Sequence, residues 1–112
     1  MKNAALFLAV LVLALPASAA AETWENVTVV DTMCSAKVKA APDEHTTKCA
    51  LACAQSGFGI LTADGSFLKL DAAGNQKVVD ALKSTKKTDH LRATITGERQ
   101  GGNLKVQSLN LQ

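Results

Sequence analysis

The sequence has no tyrosine, one tryptophan and three phenylalanines, too few aromatic rings for the stacking platform that holds single-stranded nucleic acid. Charge supplies no substitute. Twelve Lys+Arg against ten Asp+Glu give a formal net charge of +2. Setting Lys2 aside with the leader discussed below leaves +1, which gives no electrostatic case for nucleic acid or an anionic lipid surface. Beyond residue 21 no long apolar run recurs, so no membrane anchor is expected in the mature chain. No Ser/His/carboxylate set and no paired carboxylates stand out, which gives hydrolase chemistry no support. Cysteine is scarce but present, and its number, three, is odd.

What is present begins with an export pattern. Residues 1–21 read as a secretory signal: Met1-Lys2 as a positive start, Ala4 to Leu15 as an apolar run, and Pro16-Ala17-Ser18-Ala19 as a small-residue cleavage region. The run is short of the ~20 apolar residues that span a bilayer. The expected mature chain, residues 22–112, is periplasmic or secreted and makes one small domain, near the size at which staples begin to matter.

Trp24 to Asp31, with Val27, Val29 and Val30, has the branched side chains that suit a strand. Asp43 reads as a helix N-cap before 44–55, and Gly57 as its stop. Two apolar segments, 58–63 and 66–70, flank Asp64-Gly65, the signature of a two-residue hairpin turn. Asn75 then caps a second helix whose stripe is Val78, Val79 and Leu82. Leu91, Ala93 and Ile95 alternate with Arg92, Thr94 and Thr96, the period of a strand with one face in the core. After Gly101-Gly102-Asn103, Leu104 and Val106 continue that inward face, and Leu109 and Leu111 sit on the opposite parity, which predicts a bulge or a bend. The order predicts a mainly β chain with two short helices. An OB-like five-stranded small barrel fits it, with the cysteine helix between the first two strands. An open antiparallel sheet with both helices on one face is the alternative.

Asp31-Thr32-Met33-Cys34, His45-x3-Cys49-x3-Cys53, Gly65 and Ala93-Thr94-Ile95-Thr96-Gly97 resemble a family of small exported bacterial proteins of unknown function. The likeness spans most of the mature chain. That family often carries Met-Cys-Gly closely followed by histidine, where this chain has Ser35 and Lys37-Val38. The resemblance implies export, a compact OB-like β-rich fold and the three-cysteine pattern, and it implies no activity.

Four residues carry the chemistry. On a helix over 44–55, His45, Cys49 and Cys53 share one face at four-residue spacing, and Cys34 stands at the end of the first strand. An exported chain pairs its cysteines, so one reading joins Cys34 to Cys49 or Cys53 and leaves the third thiol buried or cross-linked in a dimer. Such a staple would contribute about 3 kcal/mol by loop entropy. A second reading makes Cys34, His45, Cys49 and Cys53 a Cys3His zinc site, or with Met33 a Cu(I) site, since Cu(I) is soft. A third makes Cys49 or Cys53 a redox thiol beside His45, although no C-x-x-C is present. His90, next to Asp89, reads as a surface residue. Asn26-Val27-Thr28 matches a glycosylation acceptor but falls inside a predicted strand. The function expected is a non-enzymatic exported binding module, for an unidentified small ligand or protein, stapled by one disulfide; metal binding and thiol redox chemistry are the alternatives.

Overall fold

A computed structural model describes Leu11 and residues 20–112. The predicted secretory signal, apart from Leu11, Ala20 and Ala21, lies outside the described residues.

Five strands and three helices follow one another: β1 (Glu22–Asp31), α1 (Ser35–Val38), α2 (Thr47–Ala52), β2 (Phe58–Leu61), β3 (Phe67–Leu70), α3 (Ala72–Ser84), β4 (Arg92–Gln100) and β5 (Asn103–Leu111). The strands close in the order β1-β2-β3-β5-β4, with β4 pairing back onto β1. All neighbours are antiparallel except β3 and β5. Closure excludes the open sheet and gives the expected OB-like barrel, leaving no bare sheet edge to template pairing with another chain.

Side-chain alternation does most of the building. Leu91, Ala93 and Ile95 point inward and are fully buried, and they meet Ile60, Leu68, Leu82 and Leu104 in one core. Burying an aliphatic side chain of this size stabilises by roughly 1.5–3 kcal/mol. The predicted parity change in β5 is a bulge: Thr96 pairs with Ser108 and Gly97 with Val106, so Gln107 is the extra residue. Gly97 is required there, because a Cβ would stand 2.3 Å from the Lys105 carbonyl oxygen. β1 is buried on both faces from Val27 to Asp31, because the segment between β1 and β2 folds over its outer side. Val30, Val38 and Leu61 form a small second cluster there, with Cys34 and Phe67 against it.

Four local expectations shift. Among the described residues there are three helices where two were expected, because a 3-10 turn at Thr32–Cys34, capped by Asp31, runs on into α1. The first predicted helix, 44–55, shrinks to α2: Pro42 opens its own 3-10 turn, His45 is extended (φ −70°, ψ 128°), and Thr46 becomes the cap by accepting the Cys49 N–H at 3.1 Å. α3 starts earlier, capped by Asp71, which accepts the Gly74 N–H at 2.9 Å. Asn75 is thereby released to hold the Phe58 N–H at 2.8 Å. The hairpin at Asp64-Gly65 has a three-residue loop, closed by Gly65 N–H to Thr62 O (3.0 Å) and Thr62 N–H to Ser66 O (2.9 Å). Gly65 carries the positive φ, +83°.

Candidate functional site

Asp31 ends β1 opposite Phe58 and has no exposed surface. One carboxylate oxygen, Oδ2, accepts the Cys34 N–H at 3.0 Å and so fixes the turn that carries Cys34. The other, Oδ1, lies 2.7 Å from Nε2 of His45, itself 9 % exposed. An ionised carboxylate only accepts, so in this pair the imidazole N–H donates. The second wall is Cys53, which caps the C-terminal end of α2 before a 3-10 turn at Ala54–Ser56 leads to β2.

Hydrogen bonds stitch these two turns together. Thr32 N–H and its hydroxyl donate to Gly57 O at 2.9 and 3.1 Å. Met33 N–H donates to Ser56 Oγ at 3.3 Å, and the Ser56 hydroxyl donates to Cys53 O at 2.8 Å. Two residues nineteen apart in sequence are thereby held side by side. A carboxylate oxygen of Asp31, Cys34 Sγ and Cys53 Sγ all lie within 4.8 Å of one another, and the Cys53 thiol approaches Met33 Sδ at 4.0 Å.

Cys34 is pushed up to about 11, first by burial, then by its hydrogen bond to Asp31 and that carboxylate's negative charge, and last by Cys53. A thiol held protonated is a poor nucleophile. A cation placed between the sulfurs reverses the local field and draws the protons off. The donor set of two thiols and a carboxylate suits a borderline or soft ion.

Of the residues predicted from sequence, the structure brings Cys34 and Cys53 together. It sets His45 one step back, behind Asp31, and leaves Cys49 exposed on α2. The shared helix face does not form, because His45 precedes α2 and Cys53 caps it. His45, Cys49 and Cys34 instead line one cleft of about 260 Å³ together with Lys37 and Glu44. All three cysteines are free thiols, so the expected staple is not formed here. Asp31 is the member that the sequence reading did not place in the site. Its signal was an aspartate three residues before Cys34 at a strand end, the spacing of a side-chain cap.

No family model, curated protein or solved structure matches this chain.

Other features lead nowhere comparable. Asp89 and His90 touch at 2.7 Å, because His90 has φ +51° and precedes β4, but both side chains are at least half exposed. Asn26 occupies the β1 bulge with φ +52°. A groove of about 440 Å³ runs past Thr28, Lys39 and Arg92, yet the Arg92 guanidinium is committed to Asp43 (2.8 and 3.1 Å) and to Asn26 O (3.1 Å). Among the aromatics Phe58 is core, and Trp24 and Phe67 pack against the core clusters.

Proposed function

We propose that this chain is a small exported metal-binding module, not an enzyme, whose ion is held by Cys34 and Cys53 with Asp31 beside them. The observation that carries this reading is the mutual approach of the three donor atoms, all within 4.8 Å, at a point where both turns are fixed by hydrogen bonds. Preorganisation of this kind spares the ion the cost of assembling its ligands. The raised thiol argues against Cys34 as the attacking group of a redox enzyme, which needs the opposite shift. Zn(II) and Cu(I) are the ions whose preferences match thiolate ligands. The three-cysteine pattern of the small exported family that the sequence resembles is consistent with this site and adds no activity to it.

A second reading rests on the same pair of sulfurs. Oxidised, Cys34 and Cys53 would form the staple of a disulfide-tied binding module, closing a loop of about 20 residues and contributing about 3 kcal/mol. Cys49, exposed and outside the cluster, would remain the odd thiol.

Native mass spectrometry of the chain, exported to a periplasm and purified without reductant or chelator, separates the two. The metal reading predicts three free thiols plus the mass of one ion. A monomer two mass units light, with one free thiol and no ion, would overturn it in favour of the staple.

A further inference from the structure

Met33 stands apart from the packing of the domain. Its neighbours in sequence are tied down, Thr32 to Gly57 and Cys34 to Asp31, yet among the described residues 20–112 it is the large apolar side chain left in solvent, 74 % exposed. Leaving a flexible thioether in water gains nothing from burial. Its sulfur nevertheless sits 4.0 Å from Cys53 Sγ, on the cluster that contains Cys34 Sγ.

The distance is an ordinary thiol–thioether contact, and it leaves room for a shared ion without moving either sulfur. Two sulfurs each bound to one ion at about 2.3 Å and separated by a trigonal angle stand about 4.0 Å apart. The donors also differ in their commitments. Both carboxylate oxygens of Asp31 are already engaged, Oδ1 with His45 and Oδ2 with the Cys34 N–H, whereas the three sulfurs have no partner other than one another and Asp31. A thioether is a ligand that Cu(I) accepts readily, whereas zinc sites are built from thiolate, imidazole and carboxylate.

We infer that the ion is Cu(I), bound by three sulfurs, Cys34 Sγ, Cys53 Sγ and Met33 Sδ, with Asp31 acting as the residue that positions Cys34. This inference rests on the metal-binding reading above and narrows it to one ion and one further ligand. Binding is a substitution without electron transfer: Cu(I) takes the place of the two thiol protons, which pass to solvent, and Met33 contributes a neutral lone pair. Lys37, on the cleft beside Cys34, can offset the single negative charge of a dithiolate Cu(I) centre. The exposed Met33 side leaves one edge of the ion open to an incoming sulfur ligand.

The test is competition of the reduced, full-length chain against a chromophoric Cu(I) chelator, with Zn(II) affinity measured in parallel, for the wild type and Met33→Leu. A ligand should count for no less than an outer-shell partner, whose loss costs about 10- to 100-fold in metal affinity. Met33→Leu is therefore expected to lose at least about tenfold in Cu(I) affinity with Zn(II) binding unchanged. Met33 is exposed, so circular dichroism of the variant should match the wild type. The chain holds two methionines, Met1 and Met33, so selenium-edge absorption of selenomethionine protein loaded with Cu(I) should show a selenium–copper contact that disappears in Met33→Leu. Equal Cu(I) affinity in wild type and variant, or no selenium–copper contact, overturns the inference. Tight Zn(II) binding without Cu(I) binding overturns it and leaves the metal module standing; binding of neither ion by the reduced protein overturns both.

Discussion

The barrel proper and the excursion between β1 and β2 are held together by different forces. From β2 to β5 the chain is ordered by alternating apolar side chains that meet in one core, with Ile60, Leu91, Ile95 and Leu104 all fully buried. Residues 32–57 contain one four-residue helix, one six-residue helix and three 3-10 turns, and helices this short are not stable alone. Caps and side-chain bonds from Asp31, Thr32, Thr46 and Ser56, with the small Val30, Val38 and Leu61 cluster, hold them in place. The core makes a scaffold that tolerates change in shape by repacking, whereas the polar stitching sets the positions of two sulfurs. A ligand site belongs in the second kind of region, where direction is specified atom by atom.

The largest test of this contrast cuts the scaffold. Phe58→Ala in β2 should cost about 3–5 kcal/mol, read as a lower urea midpoint, and should loosen both regions together because Phe58 pairs with Asp31. Next comes the joint itself. Asp31→Ala leaves His45 buried without its partner and should cost about 3 kcal/mol, whereas Asp31→Asn, which keeps an acceptor for the Cys34 N–H, should cost less. Equal losses in the two variants would mean that the stitching matters less than volume.

Thiol chemistry sharpens the comparison without unfolding anything. In the metal-free reduced protein at pH 8, a small alkylating agent should modify Cys49 first and Cys34 last, since Cys49 is exposed and Cys34 is held up to about 11. The same shift gives a sign for stability. A thiol raised from 9.0 to about 11 on folding contributes stability that is complete below pH 9 and is lost as pH rises between those values. Denaturant midpoints from pH 8 to 11 should fall, and Cys34→Ser should flatten that fall.

The smallest effect concerns the ion pair that ties the excursion to β4. The Arg92 guanidinium, hydrogen-bonded to Asp43, holds that carboxyl below the usual range. Its contribution is present above the ordinary carboxylate pKa and is lost as pH falls through the lowered one. Unfolding midpoints on the acid side should show a shallow slope that weakens in Arg92→Gln, and screening keeps it modest because both side chains are partly exposed.

Legibility in the sequence followed the same division. The period-two pattern at 91–96, the parity change after Val106 and the hairpin signal at Asp64-Gly65 are local records of core packing, and they marked β2 to β5 and the irregularity in β5. The excursion carries no such periodicity. Its helix looked longer because Asp43 was read as the cap, whereas Pro42 opens a separate turn and Thr46 caps the helix that forms. Cys34 and Cys53 were candidates by helix spacing and strand position, with Cys49 an equal alternative partner; their adjacency depends on Thr32, Met33 and Ser56 bonds between segments about twenty residues apart. Asp31 was read as the end of a strand, because nothing in one dimension shows that its two oxygens face His45 and the Cys34 N–H.

The excursion sets Cys34 beside Cys53 and leaves Cys49 outside the cluster. Metal stoichiometry of the reduced chain and its three single Cys→Ser variants, after equilibration with one equivalent of ion and gel filtration, tests it most directly. If the proposed metal site is right, one ion is retained by the wild type and by Cys49→Ser, and none by Cys34→Ser or Cys53→Ser. Loss in Cys49→Ser equal to that in the other two, or retention in all three, would contradict it.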